Sequence, residues 1–327
     1  MKEPFSTGKK ISVIVVTWNS EAYIANCLEA IYRETADWVR EIFVVDNASA
    51  DRTVETVQTK FPEVVVERNQ KNIGFAAANN LAIAKSTGDY VLLINPDTVI
   101  LPGALAKMAA VLDQNSQIGV VGPMILNDDG SIQYTCARRL PSLLTEVWWL
   151  TGLDQRFKNS RIFGRYLMSY WDHRDSRFVE QISGACMLIR RETLQRCGPL
   201  DARFFFMYED VEFCRRVSLQ GYKVYYLADA LIKHSEGRSR MIDPETQYRT
   251  TFVSYLSMMQ YYELTRGRAY TLLVRLVMGT IRAFLLVKQL VRCLLTNPSN
   301  RQQEWKKLKM YGAILKYLIA KRIDKTF

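Results

Sequence analysis

The sequence predicts an α/β protein built on a largely parallel sheet, followed by a basic helical extension. Three observations carry this. Short runs of branched apolar residues alternate with helix-length segments through residues 10–123, which is the pattern of strands joined by crossover helices. Those runs end in polar or acidic residues, at the edge where open α/β sheets bind ligands. The charge is also unevenly divided. The net charge is +11, and residues 261–327 hold 14 Lys and Arg against Glu263, Glu304 and Asp324, while the rest of the chain balances 30 bases with 30 acids.

The elements follow in order. Ile11–Thr17 is a β-branched run that reads as a strand, and Asn19 or Ser20 can cap a helix with apolar residues at Tyr23, Ile24, Cys27, Leu28 and Ile31. Glu41–Asn47 is a second strand. Ser49 and Asp51 open a helix that ends near Phe61-Pro62, and Val64–Val66 is a third strand. Residues 75–86 form an Ala-rich helix closed by Gly88. Tyr90–Ile94 is a buried strand that must end before Pro96, which cannot donate to a ladder. A helix from Leu101-Pro102-Gly103 to about Asn115 and a strand at Ile118–Gly122 complete this half. Residues 124–180 break the rhythm. They are aromatic and basic, with Trp148-Trp149 and Tyr170-Trp171, and read as a partly helical insertion. A strand at Ile182–Ile189 weakened by Gly184, a short helix, a loop at Phe204-Phe205-Phe206, a helix over Tyr208–Gln220 and a strand at Lys223–Leu227 follow. Helices are expected over 244–266, 268–296 and 302–323.

Several functions are excluded. Gly8-Lys9-Lys10 is not a phosphate-binding Walker loop, because it lacks the earlier glycine and precedes a strand. The first strand is not followed by GxGxxG, and neither a serine nucleophile elbow nor HExxH occurs. The balanced charge of residues 1–260 argues against a nucleic-acid groove. The six cysteines lack CxxC spacing and read as reduced core residues. Residues 1–10 are polar, and Ile11–Val16 is too short for a signal-peptide core, so a cytosolic chain is expected.

The chemistry-bearing residues sit at strand and helix ends. Asp97 follows the Tyr90–Ile94 strand in Asn95-Pro96-Asp97, where a carboxylate either binds a metal or caps the next helix. Asp46 ends the second strand as a turn residue or as an acceptor for a nucleobase N–H. In Asn72-Ile73-Gly74-Phe75, Gly74 permits close backbone approach, and the helix start favours an anion such as phosphate. Glu209, Asp210 and Glu212 crowd one helix start, as dipole compensation or as a general base. His234 lies in a polar loop after a strand.

As an ordered set over residues 10–240, these motifs resemble family 2 glycosyltransferases, and among them the bacterial rhamnosyltransferase-like enzymes. The matching pieces are Thr17-Trp18-Asn19-Ser20, Asp46-Asn47-Ala48-Ser49-Ala50-Asp51, Asn72-x-Gly74-Phe75 with Asn80, Gly88-Asp89-Tyr90, Asn95-Pro96-Asp97, Gly184, Glu209-Asp210 and His234. The resemblance implies a GT-A fold, a Rossmann-like sheet with a nucleotide-sugar half over about 10–123 and an acceptor half over about 124–240. It implies an inverting reaction using a nucleotide sugar and Mn²⁺ or Mg²⁺. By motif, Thr17 and Asn19 line the nucleotide site and Asp46 meets a pyrimidine N3–H, implying UDP or dTDP. Asn72 and Gly74 contact nucleotide or phosphate. Asn95 and Asp97 occupy the metal motif, with Asp97 as its acid. His234 completes the metal site, and Asp210 is the base. Asn79 stands where many relatives carry Arg. The QxxRW motif of processive synthases is missing at Gln247-Tyr248-Arg249-Thr250, which favours transfer of one sugar to each acceptor. Oxygen ligands suit either ion, and an imidazole tilts the choice toward Mn²⁺. The alternatives are a sugar-nucleotide-forming nucleotidyltransferase, disfavoured because Thr17–Ser20 is no glycine-rich basic loop, and a non-catalytic sugar-nucleotide binder.

The extension over 241–327 is expected to lie on an anionic membrane without crossing it, or to join two subunits. Arg275, Arg282, Lys288 and Arg292 interrupt its most apolar stretch. Arg268, Arg275 and Arg282 recur every seven residues on the face of Gln289, opposite the apolar side chains. Leu308, Tyr311, Leu315 and Leu318 similarly share one side, with Lys306, Lys309, Lys316 and Arg322 mostly elsewhere. Relatives often glycosylate polyprenyl-linked saccharides, so the expected partners are a lipid-linked acceptor and the inner face of the cell membrane.

Overall fold

The computed structural model describes residues 9–34, 38–235, 244–295 and 298–320. The chain forms two units, Met1–Leu140 with Tyr166–Met241, and Pro141–Arg165 with Ile242–Phe327. Residues 141–165, grouped by the sequence with the acceptor half, cluster with the C-terminal helices instead.

The chain begins β1 (Ile11–Thr17), α1 (Glu21–Glu34), β2 (Val39–Asp46), α2 (Thr53–Lys60), β3 (Val65–Arg68), α3 (Phe75–Lys85) and β4 (Tyr90–Ile94). It continues through β5 (Thr98–Ile100), α4 (Ala104–Gln114), β6 (Ile118–Leu126) and β7 (Ala137–Arg138). Then come α5 (Leu143–Thr151), α6 (Leu153–Arg156), β8 (Arg177–Val179), β9 (Gln181–Ile182) and β10 (Cys186–Arg190). The last elements are α7 (Arg191–Cys197), α8 (Glu209–Leu219), β11 (Lys223–His234), α9 (Pro244–Leu295) and α10 (Pro298–Ala320).

In the first unit the main sheet has the order β3-β2-β1-β4-β10-β6-β11-β5, with β8 also pairing β11. The β3-β2-β1-β4 half is parallel, as alternation predicts. All residues of β1 and β4 are buried, which explains why they read as continuous apolar runs. Their period of two sorts side chains between two cores. Val13, Val15 and Leu92 pack with α1 and α4, while Ile14, Val16 and Leu93 pack with α3 and α8.

The second half of the sheet is mixed. The single strand expected over 182–189 is divided at Ser183-Gly184 into β9 and β10. β10 lies antiparallel between β4 and β6. β11 runs past the expected end at Leu227 through a register shift to His234, and there pairs antiparallel with β5. All six cysteines are buried free thiols. Burial pushes Cys136 up to about 11 and Cys186 and Cys214 up to about 12.

In the second unit, Ser142 caps α5 in a reciprocal box with Thr145. α9 is interrupted at Gly267, whose φ of 83° is the break predicted between 266 and 268. The expectation that the basic face of α9 meets headgroups does not hold for Arg275 and Arg282: they and Gln289 are buried, and the apolar side chains opposite are exposed. On α10, Lys306, Lys309 and Lys316 are exposed and Leu318 is buried, as the pattern predicts, while Arg322 lies outside the described residues.

Candidate active site

The first cluster forms where β4 ends. The Asn95 N–H donates to Ala185 O (3.0 Å), and the turn through Pro96 closes with the Thr98 N–H on Asn95 O (3.2 Å). Asp97 therefore stands at the tip, largely buried. The β5–β11 register sets His234 opposite Thr98, beside Asp97. His234 Nε2 lies 3.3 Å from Asp97 Oδ1 and 3.5 Å from Asn95 Nδ2. Gln133 fixes the ring. Its Nε2 donates to the His234 carbonyl (2.5 Å), which turns its Oε1 toward His234 Nδ1 at 3.1 Å. That oxygen only accepts, so Nδ1 carries a proton, and in the neutral imidazole the Nε2 lone pair faces the carboxylate. Two electron-rich atoms at this separation fit a shared divalent cation, since ligands about 2.0–2.2 Å from one ion lie about 3.0–3.4 Å apart at ordinary angles. Among the described residues no group of three or more His, Cys, Asp or Glu could hold a metal. The pair suits an ion that takes its remaining ligands from water and phosphate oxygens.

The second cluster surrounds Asp210. Met207 and Tyr208 both have positive φ (65° and 70°), a strained entry that swings the chain into α8. Asp210 Oδ2 accepts from Arg138 Nη2 and from the Gly184 N–H, each at 3.1 Å, and Oδ1 accepts from the Val211 N–H at 2.8 Å. Arg138 also donates to Tyr166 Oη at 3.1 Å. Burial acts to lower the pKa of this guanidinium, but Tyr166 and Asp210 outweigh it, so the net direction is upward. The neighbouring Glu212 is spent on Arg216 within α8, at 2.7 Å. Of the crowded acids at this helix start, Glu212 is a structural partner and Asp210 sits against a buried guanidinium. One dipeptide ties the clusters together. Gly184 holds Asp210, while the Ala185 carbonyl accepts from Asn95 and from Thr98 Oγ1 (3.4 Å), the residues flanking Pro96 and Asp97.

The third cluster is the loop after β2. Thr17 and Asp46 are fully buried. Asp46 accepts from Thr17 Oγ1 (3.0 Å), from the Ser49 hydroxyl and from the Ser49 N–H (3.0 Å). Its carboxylate, with no exposed surface, braces the loop. Asn19, at φ 50°, latches the same loop: its N–H donates to Ser49 Oγ (2.9 Å) and its Oδ1 accepts the Ala50 N–H (2.8 Å). Beside it, Ala48, Ser49, Ala50, Arg68, Asn69 and Gln70 line an open cavity of about 420 Å³. Gly74 and Asn72 are engaged within the chain. The Gly74 N–H is taken by Asn72 Oδ1 (2.9 Å) and the Phe75 N–H by Phe205 O (2.8 Å), so these amides of α3 are satisfied internally. The close approach that Gly74 permits is that of the Phe205 backbone. Asn79 is buried and donates to Phe75 O (2.9 Å). Gln133, Arg138 and Tyr166 escaped the sequence reading because each acts through a partner distant in the chain.

The family model described as glycosyl transferase family 2 matches residues 12–197. N-acetylglucosaminyl-diphospho-decaprenol L-rhamnosyltransferase of Mycobacterium tuberculosis is 25% identical over 266 residues, covering 74% of this chain and 83% of that enzyme. O-antigen biosynthesis protein RfbC of Myxococcus xanthus is 22% identical over 260 residues, covering 78% of this chain but only 20% of that longer protein. Among solved structures, the mannosyltransferase PcManGT from Pyrobaculum calidifontis in complex with GDP-Man and Mn²⁺ matches with a TM-score of 0.56 at 18% identity, over 98% of this chain and 90% of that one. Residues 1–349 of S. aureus TarS match with a TM-score of 0.51 at 17% identity, over 97% and 93%. The mixed sheet and its flanking helices are the GT-A fold of these structures. The chain belongs to glycosyltransferase family 2 and is a glycosyltransferase.

Proposed function

We propose that the protein transfers a single sugar, such as rhamnose, from a dTDP- or UDP-sugar to a lipid-linked saccharide, with inversion and with a divalent cation, in cell-surface polysaccharide biosynthesis. The observation that carries this reading is the Gly184-Ala185 dipeptide, which braces Asp210 on one side and the Asn95–Thr98 turn beside His234 on the other. Asp210 takes the proton of the acceptor hydroxyl. The hydroxyl oxygen bonds to the anomeric carbon as the bond to the diphosphate breaks, and that electron pair leaves with the diphosphate. Asp97 and His234 are the residues that would hold Mn²⁺ or Mg²⁺, which supplies Lewis-acid charge to the leaving group. Asp46, Thr17 and Asn19 hold the loop on which a pyrimidine would rest, and Asn72 fixes the turn that precedes α3. Rhamnose and a lipid carrier are suggested by the name of the mycobacterial relative, and such an acceptor puts the enzyme peripherally on the inner membrane face. Absence of QxxRW supports single addition.

Asp210→Asn is expected to lower turnover by about 10²–10⁴ with the donor dissociation constant nearly unchanged. Rapid-quench kinetics beside calorimetric donor binding would measure both, and near-normal turnover would remove Asp210 from the role. Donor class is tested by calorimetry with UDP, dTDP, GDP and ADP in Mn²⁺ or Mg²⁺. Tightest binding of GDP would refute the pyrimidine assignment, and full transfer in EDTA would refute the metal.

A further inference from the structure

The second half of α9 is inside out for a helix in water. Leu272, Leu276, Val287, Leu290, Val291 and Leu294 fall within an arc of about 100°, and each is between 41% and 68% exposed. Phe284 stands at the rim of the arc, 71% exposed. The polar Thr280 within it is satisfied by its own helix, donating to Leu276 O at 2.9 Å. The opposite arc is buried and mixed, with Arg275, Arg282 and Gln289 between 4% and 8% exposed beside the fully buried Val274 and Met278. Arg275 donates to the Tyr317 carbonyl of α10, and its guanidinium stacks over the Tyr317 ring at 5.1 Å. Arg282 bonds the Tyr255 hydroxyl and lies over Tyr311 at 4.7 Å. Gln289 Nε2 donates to Glu304 Oε2 at 2.6 Å. Charged groups that face a helix–helix seam while aliphatic side chains face outward describe a helix whose surroundings are apolar.

We infer that this outer arc is the surface by which the enzyme, in the peripheral location proposed above, enters the acyl layer of an anionic leaflet, with the helix lying flat. Two features select this occupant. Arg268 and Lys288, both exposed, border the arc on either side, with the exposed Arg292 farther round the helix against Glu304, and the basic excess of the whole chain lies in residues 261–327. The other helix of the pair exposes Lys306, Lys309 and Lys316 among Trp305 and Ile319, so the continuous apolar face of the hairpin is that of α9. α9 is long and apolar enough to cross a membrane by length and composition, but a crossing would carry those lysines into hydrocarbon as well. Arg275 and Arg282, which the sequence assigned to the headgroups, hold the hairpin together and touch no lipid.

Full-length protein is floated with phosphatidylglycerol–phosphatidylcholine vesicles and with phosphatidylcholine alone, at low salt. Wild type is expected to float with the anionic vesicles and to be released by alkaline carbonate. The combined variant Leu276→Ser, Val287→Ser, Leu294→Ser should lose more than about tenfold in partitioning, with an unchanged melting temperature because these side chains are already in solvent. Lys288→Glu with Arg292→Glu should weaken binding to anionic vesicles only. Wild-type-like flotation of the triple-serine variant would overturn the inference. So would resistance to carbonate, or a vesicle-indifferent dimer that the same variant converts to monomer. Donor hydrolysis on the same samples separates the two ideas. Turnover without vesicle binding defeats this surface alone, and vesicle binding without turnover on any sugar nucleotide defeats the enzymatic reading alone.

Discussion

Arg138 and Asp210 meet at 3.1 Å with side chains 13% and 12% exposed, and the consequences of separating them differ for each partner. Arg138→Met leaves a nearly buried carboxylate on two backbone amides. Breaking a buried pair from one side costs about 3–5 kcal/mol, and this slightly open site should fall toward the lower end. Urea denaturation should show that loss, and adding Asp210→Asn should recover part of it, giving a coupling energy in a double-mutant cycle. Additive losses would mean that the pair is not coupled. Gln133 is tested the same way on the other cluster. Gln133→Leu removes the group that sets the His234 tautomer, so Mn²⁺ affinity measured by electron paramagnetic resonance with UDP present should drop about 10–100-fold. Unchanged affinity would show that the ring needs no such orienting. Asp97, Asp210 and His234 stand out in the sequence because residue type and order are local properties. Gln133 and Arg138 do not, since a lone Gln or Arg acquires a role only from a neighbour brought by the fold.

Elements show the same division. Gly74 has φ +90°, and a Cβ there would stand 2.5 Å from Phe205 O. Gly74→Ala therefore combines backbone strain with a clash on a carbonyl that also bonds Phe75. It should destabilise by about 1–3 kcal/mol, read from the urea midpoint, and an unchanged midpoint would show that the loop yields freely. The glycine was visible in the sequence as a special backbone position, and the chain that approaches it is the Phe205 backbone. Helix-end chemistry predicts an anion equally well whether the partner is phosphate or another loop's carbonyl. The break at Gly267 was read correctly because glycine with positive φ ends a helix without tertiary help. The faces of α9 were detected as a heptad, but which face is buried depends on α10 and on the surroundings of the unit.

At the scale of the whole first unit, His173 links the mixed half of the sheet to its cover. It stacks on Trp171 at 4.0 Å, meets Tyr134 and Tyr226 edge-on, and is fully buried, with its ring nitrogens near the carbonyls of Trp171 and Ala137. Burial lowers its pKa from 6.5, and the two carbonyls, which pull it up, do not compensate. The sign follows. As pH falls below about 6.5, the unfolded chain takes up the proton first, so stability declines with falling pH. His173→Phe should flatten the change in urea midpoint between about pH 7 and pH 5 relative to wild type. Parallel slopes would show that the histidine is already solvated in the native state.

The sequence by itself determined the alternation of strands and helices, the buried runs β1 and β4, the helix break at Gly267 and the acids at strand ends. Each of these rests on periodicity, β-branching or the backbone limits of Pro and Gly, which act over a few residues. Only the tertiary structure decided that β10 enters antiparallel between β4 and β6, that β11 extends to set His234 beside Asp97, and that Asp46 turns inward. It alone placed the arginines of α9 against α10. Pairing partner, strand direction and buried face are settled by which surfaces meet. Hydrogen-bond and apolar complementarity between segments up to about a hundred residues apart leaves little trace in either segment alone.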